Sequence, residues 1–171
     1  MNPDRRLLMF AASALLMTSL SGCGFYLRGT TPESTLAFDS VYLEANRGTP
    51  LARELRGAIL SQGNTVLATD QKAAAVTLRI LSEGQEKKIL TLNAQGQVRE
   101  YSLLYRVNFE VADKDNKKLL KPNELALQAF LSYSESQALA KETEERMTYD
   151  DLRRDAVSQI MRQLSRIKPE Q

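Results

Sequence analysis

Apolar and polar residues alternate in three stretches of the middle of the chain, and this alternation predicts strands with one buried face. The clearest stretch is EYSLLYRVNFEV, in which every second residue is apolar: Tyr101, Leu103, Tyr105, Val107, Phe109 and Val111. The other two begin near Val76 and Leu125. The turn sequences Asn93-Ala94-Gln95-Gly96 and Asp113–Asn116 separate the three, so we expect an antiparallel meander with a bulge near Gly84.

Two segments have helical spacing. The first follows Thr49, a suitable N-cap with Pro50 behind it, and its pattern stops at Gly63. The second is C-terminal and carries an apolar stripe at spacings of three and four: Leu152, Ala156, Val157, Ile160, Leu164 and Ile167. Thr148 is its expected N-cap, and a separate short helix is expected in SQALAKETEE.

These elements, with a first strand in LAFDSVYLEA, predict an α/β two-layer sandwich. The order β-α-β-β-β-α gives a four-stranded mixed sheet with the helices on one face. The first two strands are expected to be parallel, through a right-handed crossover. The domain would occupy residues 35–168 and leave residues 169–171 as a short tail.

The face of the sheet away from the helices would be mostly polar. The residues expected to face a partner there are Arg79, Arg106, Asn108, Gln128 and Phe130. A solvated sheet face is one interpretation, because open antiparallel sheets often have one. The other is a surface that fits a second polar wall, and the inside of an outer-membrane barrel is such a wall.

The N-terminal segment has the layout of an export signal. Arg5 and Arg6 precede the apolar residues 7–18, a stretch shorter than the ~20 residues that span a bilayer. It ends in Leu-Ser-Gly-Cys, which resembles a bacterial lipobox. We therefore expect removal of residues 1–22, acyl chains on Cys23 that bind the membrane, and a lipidated tether over residues 23–34. A secreted protein with a spare cysteine and a transmembrane anchor are the alternatives.

The composition excludes several kinds of chemistry. The chain has one cysteine and no histidine, which removes imidazole bases, Cys–His dyads and the common zinc ligand sets. Its formal net charge of +2 provides no broad field for nucleic acid. We expect neither an enzyme nor a cofactor, metal or nucleic-acid partner. A Ser–Lys hydrolase is the enzymatic alternative, since Ser132, Ser134 and Ser136 precede Lys141.

An ordered set of segments resembles the LptE family of lipopolysaccharide-assembly lipoproteins, formerly called rare lipoprotein B. The segments are CGFYLRG, TPLARELR, EYSLLYRVNFEV, SQALAKE and the final helix, and they extend over essentially the whole chain after residue 22. The resemblance implies an outer-membrane lipoprotein on the periplasmic side that plugs the lumen of the LptD barrel. It would help to assemble that barrel and contact lipopolysaccharide during delivery to the outer leaflet. A lipoprotein that carries a lipid in its own pocket is the alternative.

The resemblance also implies lipopolysaccharide-contacting cations. A lysine in the A-L-A-K segment is implicated in the family, and it corresponds to Lys141. A basic residue found in some relatives before the hairpin glycine is absent, because residues 93–96 read NAQG. Lys87, Lys88 and Arg99 on the same hairpin are the candidates to replace it, since cations bind phosphate. Each of the four also has the simpler interpretation of a solvated surface cation.

Replacement of Cys23 by alanine is expected to leave a folded but unanchored domain, because the anchor lies outside the predicted core. Fractionation of cells should find Cys23→Ala in the soluble fraction, whereas the control Ser34→Ala stays with the membranes. A membrane fraction of Cys23→Ala equal to that of the wild type would refute the lipobox.

Overall fold

The computed structural model describes residues 36–168. The expected signal, Cys23 with its acyl chains, the tether and the tail after residue 168 lie outside them. In chain order the helices and strands are β1 (Ser40–Glu44), α1 (Pro50–Leu60), β2 (Val66–Leu67), β3 (Val76–Leu92), β4 (Val98–Asp113), β5 (Lys118–Ser132) and α2 (Ala138–Arg166). Single 3₁₀ turns precede β3 and α2, at Gln71–Ala73 and Glu135–Gln137.

The strands form one mixed sheet in the order β2-β1-β3-β4-β5. Strand β1 is parallel to both β2 and β3, and β3, β4 and β5 form the antiparallel meander. The two helices contact each other and pack on the same side of the sheet. The α/β class, the mixed sheet and the parallel crossover from β1 to β3 are therefore as expected.

The predicted number of four strands is wrong, because β2 adds a fifth at the sheet edge. This strand has two residues, too few for an alternating pattern. Its neighbours hold it in place: the Val66 N–H donates to the Asp39 carbonyl and the Ala68 N–H to the Val41 carbonyl, both at 2.9 Å. Strand β2 pairs with β1 where the chain returns from α1, and the sequence alone does not predict this pairing.

The alternation along β4 is confirmed. Its odd-numbered residues from Tyr101 to Val111 face the helices, and those that are fully buried are Leu103, Tyr105, Val107, Phe109 and Val111. The register of β3 with β4 shifts between Ile80 and Ser82 and again between Ile89 and Leu92, whereas Gly84 is in regular register with Arg106. Strand β5 starts at Lys118, seven residues before the predicted start at Leu125. A bulge and Pro122 disturb the alternation in this first part.

The C-terminal helical region is one helix of 29 residues, so the predicted break before Thr148 is wrong. Thr148 lies in the helix interior, and its hydroxyl donates to the Glu144 carbonyl at 2.8 Å. Threonine satisfies its hydroxyl in this way inside a helix, which explains why a cap-like sequence is no boundary here. By contrast, Thr49 caps α1 as expected, since its hydroxyl accepts the Ala52 N–H at 3.2 Å.

Candidate partner-facing sheet surface and cation cluster

The outer face is defined here as the side of the sheet opposite the helices. The strand registers place the expected partner-facing residues on this face: Arg79, Arg106, Asn108, Gln128 and Phe130. In the antiparallel pairs, Arg79 lies opposite Glu110, and Gln128 lies opposite Leu104. The five residues, from three strands, thus share one surface.

A line of charges crosses the outer face from β1 to β5. Arg79 Nε lies 2.6 Å from Glu44 Oε2, and its Nη1 lies 2.5 Å from Glu110 Oε1. Glu110 Oε2 accepts Lys118 Nζ at 2.8 Å. We call this set of Glu44, Arg79, Glu110 and Lys118 the first ladder. The Glu110 side chain is only 5% exposed, and its hydrogen bonds to Lys118 and then Arg79 lower its pKa below the usual value.

A second ladder crosses the sheet nearer the β3–β4 hairpin. Lys88 Nζ lies 2.9 Å from Glu86 Oε1, Arg106 Nη2 lies 3.7 Å from Glu86 Oε2, and Arg106 Nη1 lies 3.4 Å from Glu124 Oε1. The hydrogen bond from Lys88 is the main reason why the pKa of Glu86 is lowered. These pairs are about half exposed, so salt screens them more than the first ladder.

The amides of the outer face also have partners within the sheet. Asn108 Nδ2 donates to Ser82 Oγ at 3.1 Å, and Gln128 Nε2 donates to Ser102 Oγ at 2.8 Å. Phe130 differs from these polar residues, because its ring is apolar and 60% exposed. The outer face is therefore a largely polar surface on which the charges of the two ladders and the amides of Asn108 and Gln128 are already paired, with the large aromatic ring of Phe130 exposed.

Lys141 lies in the first turns of α2, beside the end of β5. Its Nζ donates to Glu144 Oε2 at 2.8 Å and to Ser132 Oγ at 3.1 Å. The side chain is only 14% exposed. Lys141 is thus an anchored cation with an intramolecular partner, and its helix and β5 together fix the position of the charge.

Lys87 lies on the helix side of the same sheet end. Its Nζ is 2.5 Å from Glu145 Oε2 and 4.1 Å from the ring centre of Tyr101. The Tyr101 ring meets the Tyr133 ring edge-on at 5.3 Å. Because Glu145, the partner of Lys87, lies one turn of α2 after Lys141, the two lysines belong to one region. We call Lys87, Tyr101, Tyr133 and Lys141 the cation cluster.

The structure separates the remaining two candidate cations. Arg99 is exposed on β4, two residues before Tyr101 and on the same side of the strand. It forms no ion pair with any of residues 36–168. Lys88 belongs to the outer face and the second ladder, because successive strand residues point to opposite faces. Lys87 and Lys88 therefore cannot contact the same group from one side of the sheet.

Sequence reasoning missed the aromatic and acidic members of this region. The Lys141–Glu144 pair was detectable, since residues three apart face each other on a helix. The Lys87–Glu145 pair joins residues 58 positions apart and carries no local signal. The same holds for the Tyr149 hydroxyl, which donates to the Glu86 carbonyl at 3.0 Å and fixes α2 against β3.

The Ser–Lys alternative meets a chemical obstacle in this arrangement. Ser132 is indeed in hydrogen-bond contact with Lys141, but the lysine amine donates to both the serine and Glu144. A general base needs a free lone pair to accept the serine proton, and an ammonium in an ion pair has none. Ser134 and Ser136 bond to each other at 2.9 Å instead.

Within residues 36–168, no helix is both long and apolar enough to cross a membrane. In the same part of the chain, Asp and Glu side chains form no group of three or more that would hold a metal ion.

Solved structures place the fold in a class of bacterial lipoproteins. Lipoprotein B from Nitrosomonas europaea has a TM-score of 0.70 and 36% identity, over 84% of this chain and 91% of that one. The rare lipoprotein B from Shewanella oneidensis has a TM-score of 0.64 and 26% identity, over 74% of this chain and 93% of that one.

The chain belongs to the LptE lipopolysaccharide-assembly family, whose model matches residues 38–164. A curated relative, the LPS-assembly lipoprotein LptE of Yersinia pestis, is 28% identical over 162 residues, which are 94% of this chain and 75% of that protein. The role of the family is lipopolysaccharide assembly, which is not an enzymatic one.

Replacement of Glu110 by glutamine is expected to destabilise the domain by about 1.5–3 kcal/mol at neutral pH, the range for hydrogen bonds to charged groups. The pKa of Glu110 is lowered by folding, so its contribution is present above the ordinary value of 4.5 and is lost as pH falls through the folded value. Urea unfolding at pH 7 and below pH 4.5 should therefore show a difference from wild type that shrinks in acid.

Glu124→Gln is the matched control, because Glu124 is 47% exposed and its closest cation contact is 3.4 Å. We expect a much smaller change for it at both pH values. A stability difference for Glu110→Gln that is independent of pH would contradict the role given to the first ladder.

Proposed function

We propose that this lipoprotein occupies the lumen of an LptD-type outer-membrane barrel, helps to assemble the barrel, and contacts lipopolysaccharide during its delivery. Cys23 would hold it on the periplasmic side through acyl chains. Membership of the LptE family supports the link to lipopolysaccharide assembly. The observation that supports the plug is the outer face, where two ladders pair their charges within the domain itself.

The pairing matters because a surface that enters the barrel lumen loses its contact with water and gains contact with a polar protein wall. The lumen of an outer-membrane barrel is polar, and an unpaired charge placed against it loses hydration without a fixed partner. Each ladder contains two carboxylates and two cations, so each sums to zero charge. Such a surface can be covered at a smaller desolvation cost than one with free charges.

The shape of the sheet favours insertion of the same surface. The register with β1 ends at Arg79, so the rest of β3 pairs with β4 alone among the described residues. Every residue from Leu81 to Leu92 is exposed. This long ribbon extends the outer face beyond the core and presents backbone and side chains that a surrounding wall would cover.

The cation cluster is the proposed contact for lipopolysaccharide. Phosphate is a stronger acceptor than water for ammonium groups, and Lys87 and Lys141 are held in ion pairs with Glu145 and Glu144 that a phosphate could replace. The tyrosine rings beside them provide apolar area for the rest of an amphiphile. Arg99 on the same side adds a cation.

Carriage of a lipid inside the domain is the competing function. It needs an apolar cavity, because acyl chains gain their binding energy by leaving water. A cleft of about 340 Å³ beside α2 is lined by Gln85, Glu142, Glu145, Arg146, Tyr149 and Asp150. Charged side chains predominate in this lining, so this cleft does not suit acyl chains.

Phe130→Asp is expected to reduce co-purification of the barrel by at least about tenfold, because it would bury a new, unpaired carboxylate in the proposed interface. The measurement is a pull-down of the tagged chain from detergent-solubilised outer membranes, with mass spectrometry of the bound proteins. Leu60→Asp is the control, since Leu60 on α1 is 57% exposed, close to the value for Phe130, but lies in the helix layer.

Equal barrel recovery with Phe130→Asp and wild type would contradict an outer-face interface. If the wild-type chain were recovered without any barrel, this result would contradict the plug itself. Carriage of a lipid would then become the preferred function.

Lys141→Gln is expected to weaken binding of purified lipopolysaccharide by about tenfold, the effect of losing one charge-assisted contact. Lys121→Gln, at an exposed position of β5, should bind like the wild type. Circular dichroism would confirm that both variants are folded. Unchanged lipopolysaccharide binding by Lys141→Gln would remove this residue from the proposed site.

A further inference from the structure

A small pocket opens at the β2 edge of the sheet, on the side opposite to the β5 edge and Lys141. Its volume is about 220 Å³. The residues that line it come from β1, the loop after it, α1 and the segment around β2: Tyr42, Leu43, Arg47, Arg56, Leu67, Ala68 and Thr69. No carboxylate is among them, so two arginines and no acidic residue line the pocket.

Neither arginine has a partner in the part of the chain that the structure describes. Arg79, Arg106 and Arg153 each form ion pairs with carboxylates, whereas no ion pair or side-chain hydrogen bond joins Arg47 or Arg56 to any of residues 36–168. The pocket also contrasts with the cleft beside α2, whose lining includes three acidic side chains and one arginine. An uncompensated pair of like charges at one pocket attracts an anion.

The backbone around the two arginines is well fixed. Arg47 lies in a tight turn in which the Gly48 N–H donates to Asn46 Oδ1 at 3.1 Å and the Thr49 N–H donates to the Asn46 carbonyl at 3.1 Å. Arg56 is on α1, whose start is capped by Thr49. The side chains are therefore presented from rigid elements, which reduces the entropy lost when they hold a ligand.

The open edge of β2 adds a hydrogen-bond donor. The Val66 N–H donates to the carbonyl of Asp39, just before β1, and the Ala68 N–H donates to the carbonyl of Val41 in β1. Backbone groups alternate in direction along a strand, so the N–H of Leu67 between them points away from β1, at the sheet edge. Leu67 itself lines the pocket, and Thr69 brings a hydroxyl to the same lining.

We propose that this pocket binds a phosphate group. Two guanidinium forks suit a tetrahedral, doubly charged oxyanion better than a single planar carboxylate, and the backbone and hydroxyl donors can complete its coordination. The phosphate can belong to a lipid headgroup or to a water-soluble compound, since the pocket recognises the group that both share. The lining includes no residue of the two ladders or of the cation cluster, and the site does not depend on the function proposed above.

The test is an NMR titration of the ¹⁵N-labelled whole chain in neutral detergent with inorganic phosphate, at constant ionic strength set by sodium chloride. We expect saturable shifts of the amide signals of Arg56, Leu67 and Thr69. Arg47→Gln and Arg56→Gln should each weaken phosphate binding by about tenfold. The control is Arg53→Gln, because Arg53 is exposed on the same helix and does not line the pocket.

A parallel titration with acetate should give no saturable shifts at these amides. Vesicles of phosphatidylcholine with phosphatidic acid distinguish the two sources: competition with phosphate identifies a lipid headgroup, and its absence identifies a soluble phosphate compound. Acetate binding as strong as phosphate binding would overturn the proposal, as would no saturation by phosphate or equal affinity in the two pocket variants and wild type. The spectra also report whether each variant is folded, and none of these outcomes bears on binding to the barrel.

Discussion

The alternation of side chains along β4 is the constraint on which the rest of the structure depends. Residues such as Tyr105 and Phe109 are fully buried on one face, so α1 and α2 must cover that face. The same alternation places Arg106 and Glu110 on the other side, where they join the two ladders. A register slip of one residue would exchange the two sets and bury the charges. One pairing therefore fixes both the core and the proposed interface.

The outer face shows why a list of cations is a poor guide to an anion-binding surface. Arg79 and Arg106 engage carboxylates on neighbouring strands, and Lys88 engages Glu86 on its own strand, so this face has little charge to offer a phosphate. The cation cluster instead combines anchored lysines with tyrosine rings at the end of the sheet. The two surfaces thus suit different partners: a polar protein wall for the first and an anionic amphiphile for the second.

Local patterns predicted the elements whose residues carry enough repeats. The alternation in β4 and the Thr49 cap of α1 are confirmed because each depends on residues close in sequence. Strand β2 has only two residues, and Thr148 satisfies its hydroxyl inside α2, so neither gave a correct local signal. Contacts such as Lys87–Glu145 depend on how α2 crosses the hairpin. The sequence identifies the candidate cations for contact with lipopolysaccharide, but only the tertiary structure shows which of them already form ion pairs.

The most direct test of the central claim, that the outer face meets the wall of an LptD-type barrel, is site-specific photo-crosslinking in living cells. A photoreactive amino acid would replace Phe130 on the outer face or, as the control of similar exposure, Leu60 in the helix layer. The account predicts a covalent product with the barrel from position 130 and little or none from position 60. Crosslinks to the barrel from position 60 alone, or from neither position, would contradict it.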